Sequence, residues 1–235
     1  MIASIHQPQY LSYIGFFHKV LNSDVFIFLD DVRYSRGGFF NRNVIKCQNG
    51  KMWLTVPVYK GNLIKDSKID NNQKWNKKHL KSIKINYSKS TYYEDYINIF
   101  EEFYSKQWSN LSQLDIEITK KLFDILGIKI KTYISSELDV HEKDPNLRLI
   151  KLCKKIKATT YLSGIGGKNY LNEDLFNNNK IKLEYQNFKH PVYLQLYDDF
   201  IENMSIIDII LNHGKKSLKI IEESNNEHIS NCCSS

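Results

Sequence analysis

No stretch of about 18 consecutive apolar residues occurs in this 235-residue chain, so no membrane-spanning helix is expected. The start, MIASIHQPQYL, has neither a basic leader nor a long apolar run, so a signal peptide is not expected. Cysteine is scarce. Cys47, Cys153, Cys232 and Cys233 share no metal or redox spacing, and reduced thiols in the cytoplasm are the simplest reading. HxxxH, HExxH and clustered Cys/His sets are missing, which disfavours a structural zinc; no metal ligands are assigned. A GxSxG elbow is missing too, and no cysteine sits beside a plausible base, so a Ser or Cys hydrolase is disfavoured. Asp30-Asp31 lacks the DxD spacing of many metal-dependent glycosyltransferases.

What is present is an ordinary globular composition, 42% hydrophobic and 25% charged. The net charge is +7, and residues 59–89 alone hold nine lysines against Asp66 and Asp70. Such a segment is either a solvated face or a surface for tRNA or another anionic partner. Arginine has the opposite distribution. Of only four, Arg33, Arg36 and Arg42 fall within ten residues. A lysine-preferring chain that switches to the bidentate guanidinium fork points to phosphate or carboxylate recognition, with salt bridges to Asp30 and Asp31 as the plainer alternative.

The periodicity predicts an α/β fold, mainly a parallel Rossmann-like sheet with a β-hairpin and a helical insertion. Met1–His6 and the run 24–31 read as buried strands around a helix at 15–22, a βαβ unit. Residues 44–58 read as a hairpin turning at Asn49-Gly50. Helices are expected at 75–87, 92–104 and 111–126, with Gly127 as a C-cap. A strand at 130–138, a helix capped by Asp144-Pro145, strands at 159–164 and 181–188, and helices at 205–214 and onward to 223 complete the pattern. The whole reads as one domain over 1–224, with the insertion at 72–127 and a loose tail at 225–235.

Unusual residues collect where strands end. The first strand ends in His6-Gln7-Pro8-Gln9-Tyr10, the second in Asp30-Asp31-Val32-Arg33, and the TTYL strand in Ser163-Gly164-Ile165-Gly166-Gly167-Lys168. If the three strands are parallel, these loops share one edge, where open α/β sheets bind ligands. His6 is then a candidate general base, with Asp30 or Asp31 to orient it, or else a histidine that merely holds the following turn. Ser163, Gly164, Gly166 and Lys168 lack Walker spacing, but bare glycine N–H groups can cradle an anion. Gln7 and Tyr10 are placed toward the substrate, and Gln195 is expected to point at the same site. His190-Pro191-Val192-Tyr193 reads as the start of a strand, His79 as a solvated residue on the lysine-rich helix, and His213 as a helix terminus.

The segments IHQPQYLSYIGFFHKVLNSDVFIFLDDVRYSRGGFFNRNVIK, NGKMWLTVPV, TTYLSGIGGKNYL, HPVYLQL and SIIDIILNHG together resemble the WbqC-like proteins. The resemblance runs in order along nearly the whole chain except the helical middle and the tail. The chain departs from the pattern at Ser12, where a proline is expected, and at Gly37-Gly38-Phe39-Phe40. The resemblance implies a role in bacterial surface-polysaccharide (O-antigen) synthesis: a transferase that adds glycine or another acyl group to the amine of a nucleotide-linked amino sugar. On that reading Arg33, Arg36 and Arg42 grip the pyrophosphate. The donor is left open among an ATP-derived acyl-AMP, an aminoacyl-tRNA and an acyl thioester. The alternative is a non-catalytic scaffold for other polysaccharide enzymes.

Overall fold

The structure is a computed structural model and describes residues 1–225 except 36, 60 and 198. The expected loose tail beyond 225, with Cys232 and Cys233, lies outside the described residues, as does Arg36.

Five short strands form one parallel sheet. They are β1 (Ile2–His6), β2 (Val25–Phe28), β7 (Lys131–Ile134), β8 (Thr160–Ser163) and β9 (Lys182–Tyr185), in the order β7-β2-β1-β8-β9. Every neighbouring pair is parallel. The chain winds outward from β1 to β2 and β7, then crosses to β8 and β9 on the other side. The order therefore reverses between β1 and β8, the position where such sheets open a crevice at their carboxyl edge.

Alternation along the strands sorts two apolar layers. Ala3, Ile5, Val25 and Ile27 pack with Leu149, Ile150, Leu152 and Cys153 of α5 (Pro145–Lys155). Phe26 and Phe28 point to the opposite face, into a larger cluster with α1 (Ile14–Leu21), the middle helices and α7 (Ile206–His213). Burying both faces explains why the central strand β2, VFIF, reads as an unbroken apolar run.

The middle of the chain follows its local signals. The hairpin β3 (Arg42–Cys47) and β4 (Gly50–Thr55) is antiparallel, with Cys47 opposite Gly50. A two-residue pair, β5 (Val58–Tyr59) and β6 (Lys68–Ile69), follows it. Helices α2 (Trp75–Tyr87), α3 (Tyr93–Ser105) and α4 (Leu111–Leu126) add their apolar faces to the larger cluster. Asn110 caps α4 by accepting from Gln113 N–H, and Gly127 ends it at φ +73, a left-handed conformation that costs glycine little. Asp144 caps α5 through Leu147 N–H, with Pro145 at its first turn. The short α6 (Glu173–Asn178) links β8 to β9, and α8 (Lys216–Glu222) packs against α1.

Several expectations need correction. No strand forms at His190–Tyr193; the His190 ring instead donates from Nδ1 to Pro191 O and accepts at Nε2 from Asn203 N–H. Gln195 is buried beside Tyr193 and Ile201, where its amide bonds to both, and does not face the crevice. His79 is not solvated. It is buried against Tyr10 Oη at 2.8 Å and Thr55 O at 3.2 Å, long-range contacts that its lysine-rich neighbours gave no sign of. Among the described residues no helix is long and apolar enough to cross a membrane.

Candidate functional site

The crevice between β1 and β8 is a cleft of about 420 Å³. Its walls come from the ends of β1 (Ile5, His6) and β8 (Tyr161, Ser163), the glycine loop after β8, the start of α1, and Gln186–Phe188 after β9. Parallel pairing therefore brings His6, Ser163, Gly164 and Gly166 to one cavity, because each follows or ends a strand on the same edge.

The glycine loop is a tight turn, a single 3₁₀ segment over Ile165–Asn169 whose first bond runs from Gly167 N–H to Gly164 O at 2.9 Å. Gly167 is required by close packing: a Cβ there would sit 2.1 Å from Ser163 Oγ. Gly164 and Gly166 are different, since a Cβ on either would meet nothing within 4 Å. Their bare backbone faces open space, and both line the cleft.

Lysine 19, which sequence reasoning missed, lies in the same wall. It is only 3% exposed, and its Nζ reaches Ile5 O at 3.4 Å. The cleft lining contains no aspartate or glutamate, and among the described residues Lys19 makes no ion pair. Loss of hydration without a compensating carboxylate pulls its pKa down to about 7. His6 is lowered to about 3, first by burial and then by the Lys19 charge, against a small upward pull from its bond to Gln7 O. That bond, 2.9 Å from Nδ1 to a carbonyl that can only accept, places the proton on Nδ1 and leaves Nε2 as a bare acceptor. Gln186 braces the opposite wall, donating to Gly15 O and to His18 Nδ1.

The other expected residues lie elsewhere. Asp30 and Asp31 end β2, one strand away, and neither bonds to His6. The Asp30 carboxylate accepts from Ser135 Oγ, Ser136 N–H and Ser136 Oγ, all just after β7. Asp31 pairs with Arg148 at 2.5 Å and accepts from Ser135 Oγ. The two acids thus brace the end of β2 against β7 beside a second cleft of about 540 Å³. Asp30→Ala strands the Ser136 donors, and denaturant unfolding is expected to register a loss of about 1–3 kcal/mol.

Tyr10 is turned inward. It is fully buried and hydrogen-bonded to Tyr104 and His79, so it cannot touch a substrate in the cleft. Gln7 lies outside the lining; its carbonyl serves the His6 ring. Exposed Arg33 bridges through its backbone to Leu63, and Arg42 bonds to Gly37 O and lies over the Trp53 ring; neither lines either cleft. Exposed Lys168 leans on the Tyr185 ring at 5.3 Å.

A parallel sheet reversing between β1 and β8 defines a doubly wound α/β protein, and the cleft at the reversal, with its glycine loop and an amine that makes no ion pair among the described residues, is its candidate site. The profile of the WbqC-like protein family matches residues 7–220, and the chain belongs to that family. An uncharacterized protein of Mycobacterium tuberculosis, Rv1507c, is 30% identical over 220 residues, covering 91% of this chain and 94% of that protein. No solved structure matches the chain.

Proposed function

We propose that this protein is a transferase of bacterial surface-polysaccharide synthesis that acylates the amine of a nucleotide-linked amino sugar in the β1/β8 cleft. The acyl group is glycine or another amino acid. The single observation that carries the reading is Lys19, a buried amine with no acidic partner among the described residues, in the wall of a cavity beside open glycine backbone. A cavity with a basic amine and no carboxylate in its lining suits an anionic ligand that also delivers a proton.

The chemistry divides among few groups. A sugar amine arrives largely as its ammonium and must lose a proton to attack. Lys19, lowered to about 7, accepts a proton near neutrality. His6 at about 3 is too weak a base for that task. Its bare Nε2 instead accepts a hydrogen bond from the amine and aims the nitrogen lone pair at the acyl carbon. Lys19 first takes one proton from the ammonium; the free amine then attacks, the new C–N bond forms, the bond from the acyl carbon to its leaving group breaks, and the nitrogen's second proton departs with that leaving group. Gly164 and Gly166 offer open backbone to the ligand's phosphates, while Gly167 N–H is engaged with Gly164 O and fixes the turn. This cleft takes over the anion role first assigned to Arg33, Arg36 and Arg42. Asp30 and Asp31 support the edge from one strand away. Nucleotide-linked sugars are made in the cytoplasm, which fits the reduced-thiol reading.

The test combines the protein with UDP- and dTDP-linked amino sugars and, in turn, aminoacyl-AMP, aminoacyl-tRNA and an acyl thioester. A sugar mass increased by one acyl group supports the reading. No product with any donor, together with no thermal stabilisation by any nucleotide sugar, favours the scaffold alternative. A sharper prediction concerns the loop. Gly166→Asp has room for its side chain, so the melting temperature should hold, while the added carboxylate repels phosphate and weakens nucleotide-sugar binding at least tenfold by calorimetry. Unchanged affinity would remove the loop from the phosphate site.

A further inference from the structure

The charge of this chain is more lopsided than its total. Residues 42–89 hold twelve Lys or Arg and two Asp, a surplus of ten in a chain whose net charge is +7, so everything else is slightly acidic. In space this segment is the β3–β4 hairpin, the β5–β6 pair with its flanking turns, and helix α2; the hairpin and helix are tied together by Tyr87 Oη with Lys46 N–H at 3.0 Å and by His79 with Thr55 O. Only part of the charge is used internally. Lys46 is buried on the carbonyls of Tyr197 and Asp199, and Lys84 pairs with Glu101. Lys51, Lys74, Lys77, Lys78 and Lys81 are exposed, and none makes an ion pair among the described residues.

The same hairpin carries an aromatic feature that a merely solvated face does not need. Trp53 is 50% exposed and Phe39 46% exposed, their rings stacked with centroids 6.2 Å apart and 29° between planes. The Arg42 guanidinium lies 4.6 Å from the Trp53 centroid, and its bond to Gly37 O ties the Phe39 loop to the hairpin. Exposed rings, a guanidinium plane and free lysines are what single-stranded nucleic acid binds: bases stack on the rings and phosphates meet the cations. The platform is also near the chemistry. Phe39 O accepts from Tyr10 N–H, and Tyr10 lies four residues from His6, so their Cα atoms are at most about 15 Å apart.

We infer that the hairpin and α2 form a docking surface for an RNA with an unpaired end, the Phe39–Trp53 pair stacking a terminal base, so that the acyl donor is an aminoacyl-tRNA. Only the identity of the group carried rests on the acyl-transfer reading; RNA binding is measured apart from turnover.

The experiment follows fluorescence anisotropy of labelled deacylated tRNA against wild type, Trp53→Ala, Trp53→Tyr and the triple variant Lys77→Glu, Lys78→Glu, Lys81→Glu, across salt. A blunt RNA duplex and phosphatidylserine vesicles serve as comparison ligands. Binding should weaken with salt. Trp53→Ala should lose about 5- to 100-fold, as expected for one stacked base, and Trp53→Tyr should recover most of it. The triple variant should bind weaker still, with a log–log salt slope shallower by about two or more. The duplex should be indifferent to Trp53. Absence of tRNA binding at 50 mM salt, equal affinity in all variants, or capture by vesicles in place of tRNA would each overturn the inference. Its failure would leave acyl transfer with the other two donors intact. Conversely, tRNA binding without acylation by any donor would end the transfer reading and leave this one standing.

Discussion

Lys19→Met should lower the acyl-transfer rate by about 10²–10⁴ while making the folded protein more stable. The two effects have one cause. In the wild type an amine lies in a wall that dehydrates it and supplies no carboxylate, which lowers its pKa from 10.5 to about 7. Between those two values the unfolded chain holds the proton and the folded chain does not. Folding stability therefore rises with pH from about 7 to 10.5, by up to ~1.4 kcal/mol per unit from this group, and the penalty is complete below 7. Methionine keeps the length and removes the charge. The variant should lose that slope and gain about 3 kcal/mol at pH 7, a melting shift of about 6–12 °C. Activity has the matching pH dependence, rising through a midpoint near 7 as the amine becomes a free base. A variant that is destabilised and still turns over at the wild-type rate would remove Lys19 from the reaction.

Asp115→Asn is the second large effect, and it is purely structural. Asp115 lies on α4, fully buried, with no hydrogen-bond partner on either carboxylate oxygen among the described residues. Burial pushes its pKa well above the ordinary 3.8, so the folded state holds a proton that the unfolded state has released. Its stability contribution is complete below the unfolded value and is lost as pH rises toward the folded one, the reverse of the Lys19 slope. The amide cannot ionise. Asp115→Asn should flatten that decline and raise stability at pH 8 by ~2 kcal/mol or more, read from urea midpoints at pH 5 and pH 8. The buried Tyr10, whose own pKa is raised mainly by burial and partly by this carboxylate, should sense the change without altering the cleft. Equal gains at both pH values would show that Asp115 does not titrate as argued.

Much of the architecture was legible locally. Helices α2 and α4 begin and end where the periodicity places them, and α4 and α5 carry the expected caps, because asparagine, aspartate, proline and glycine act within a turn of themselves. The placing of His6 beside the SGIGGK loop followed from strand direction alone, as both leave parallel neighbours at the same edge. The misses share a different origin. The apolar stripe Phe16, Phe17, Val20 and Leu21 leaves Lys19 on what looks like an outward face. That face is interior because the cleft wall and α8, some two hundred residues later, enclose α1. A lysine inside the run IGFFHKVL, four residues after the cleft glycine Gly15, was the available signal. Tyr10 and His79 find each other 69 residues apart, and Asp30 finds Ser135 at 105, distances at which no periodicity speaks. Arg42 was read as a phosphate ligand from residue type and its clustering with Arg33 and Arg36; its register opposite Thr55 places it on the hairpin, away from the β1/β8 cleft.

The central claim is that the β1/β8 cleft receives a nucleotide-linked amino sugar. Hydrogen–deuterium exchange of the protein with and without a saturating UDP- or dTDP-linked amino sugar tests it most directly. Slowed exchange confined to peptides covering 5–10, 14–20, 163–170 and 186–188 is the predicted result. Protection appearing instead at 135–143, beside the second cleft, or none at all at saturation, would contradict it.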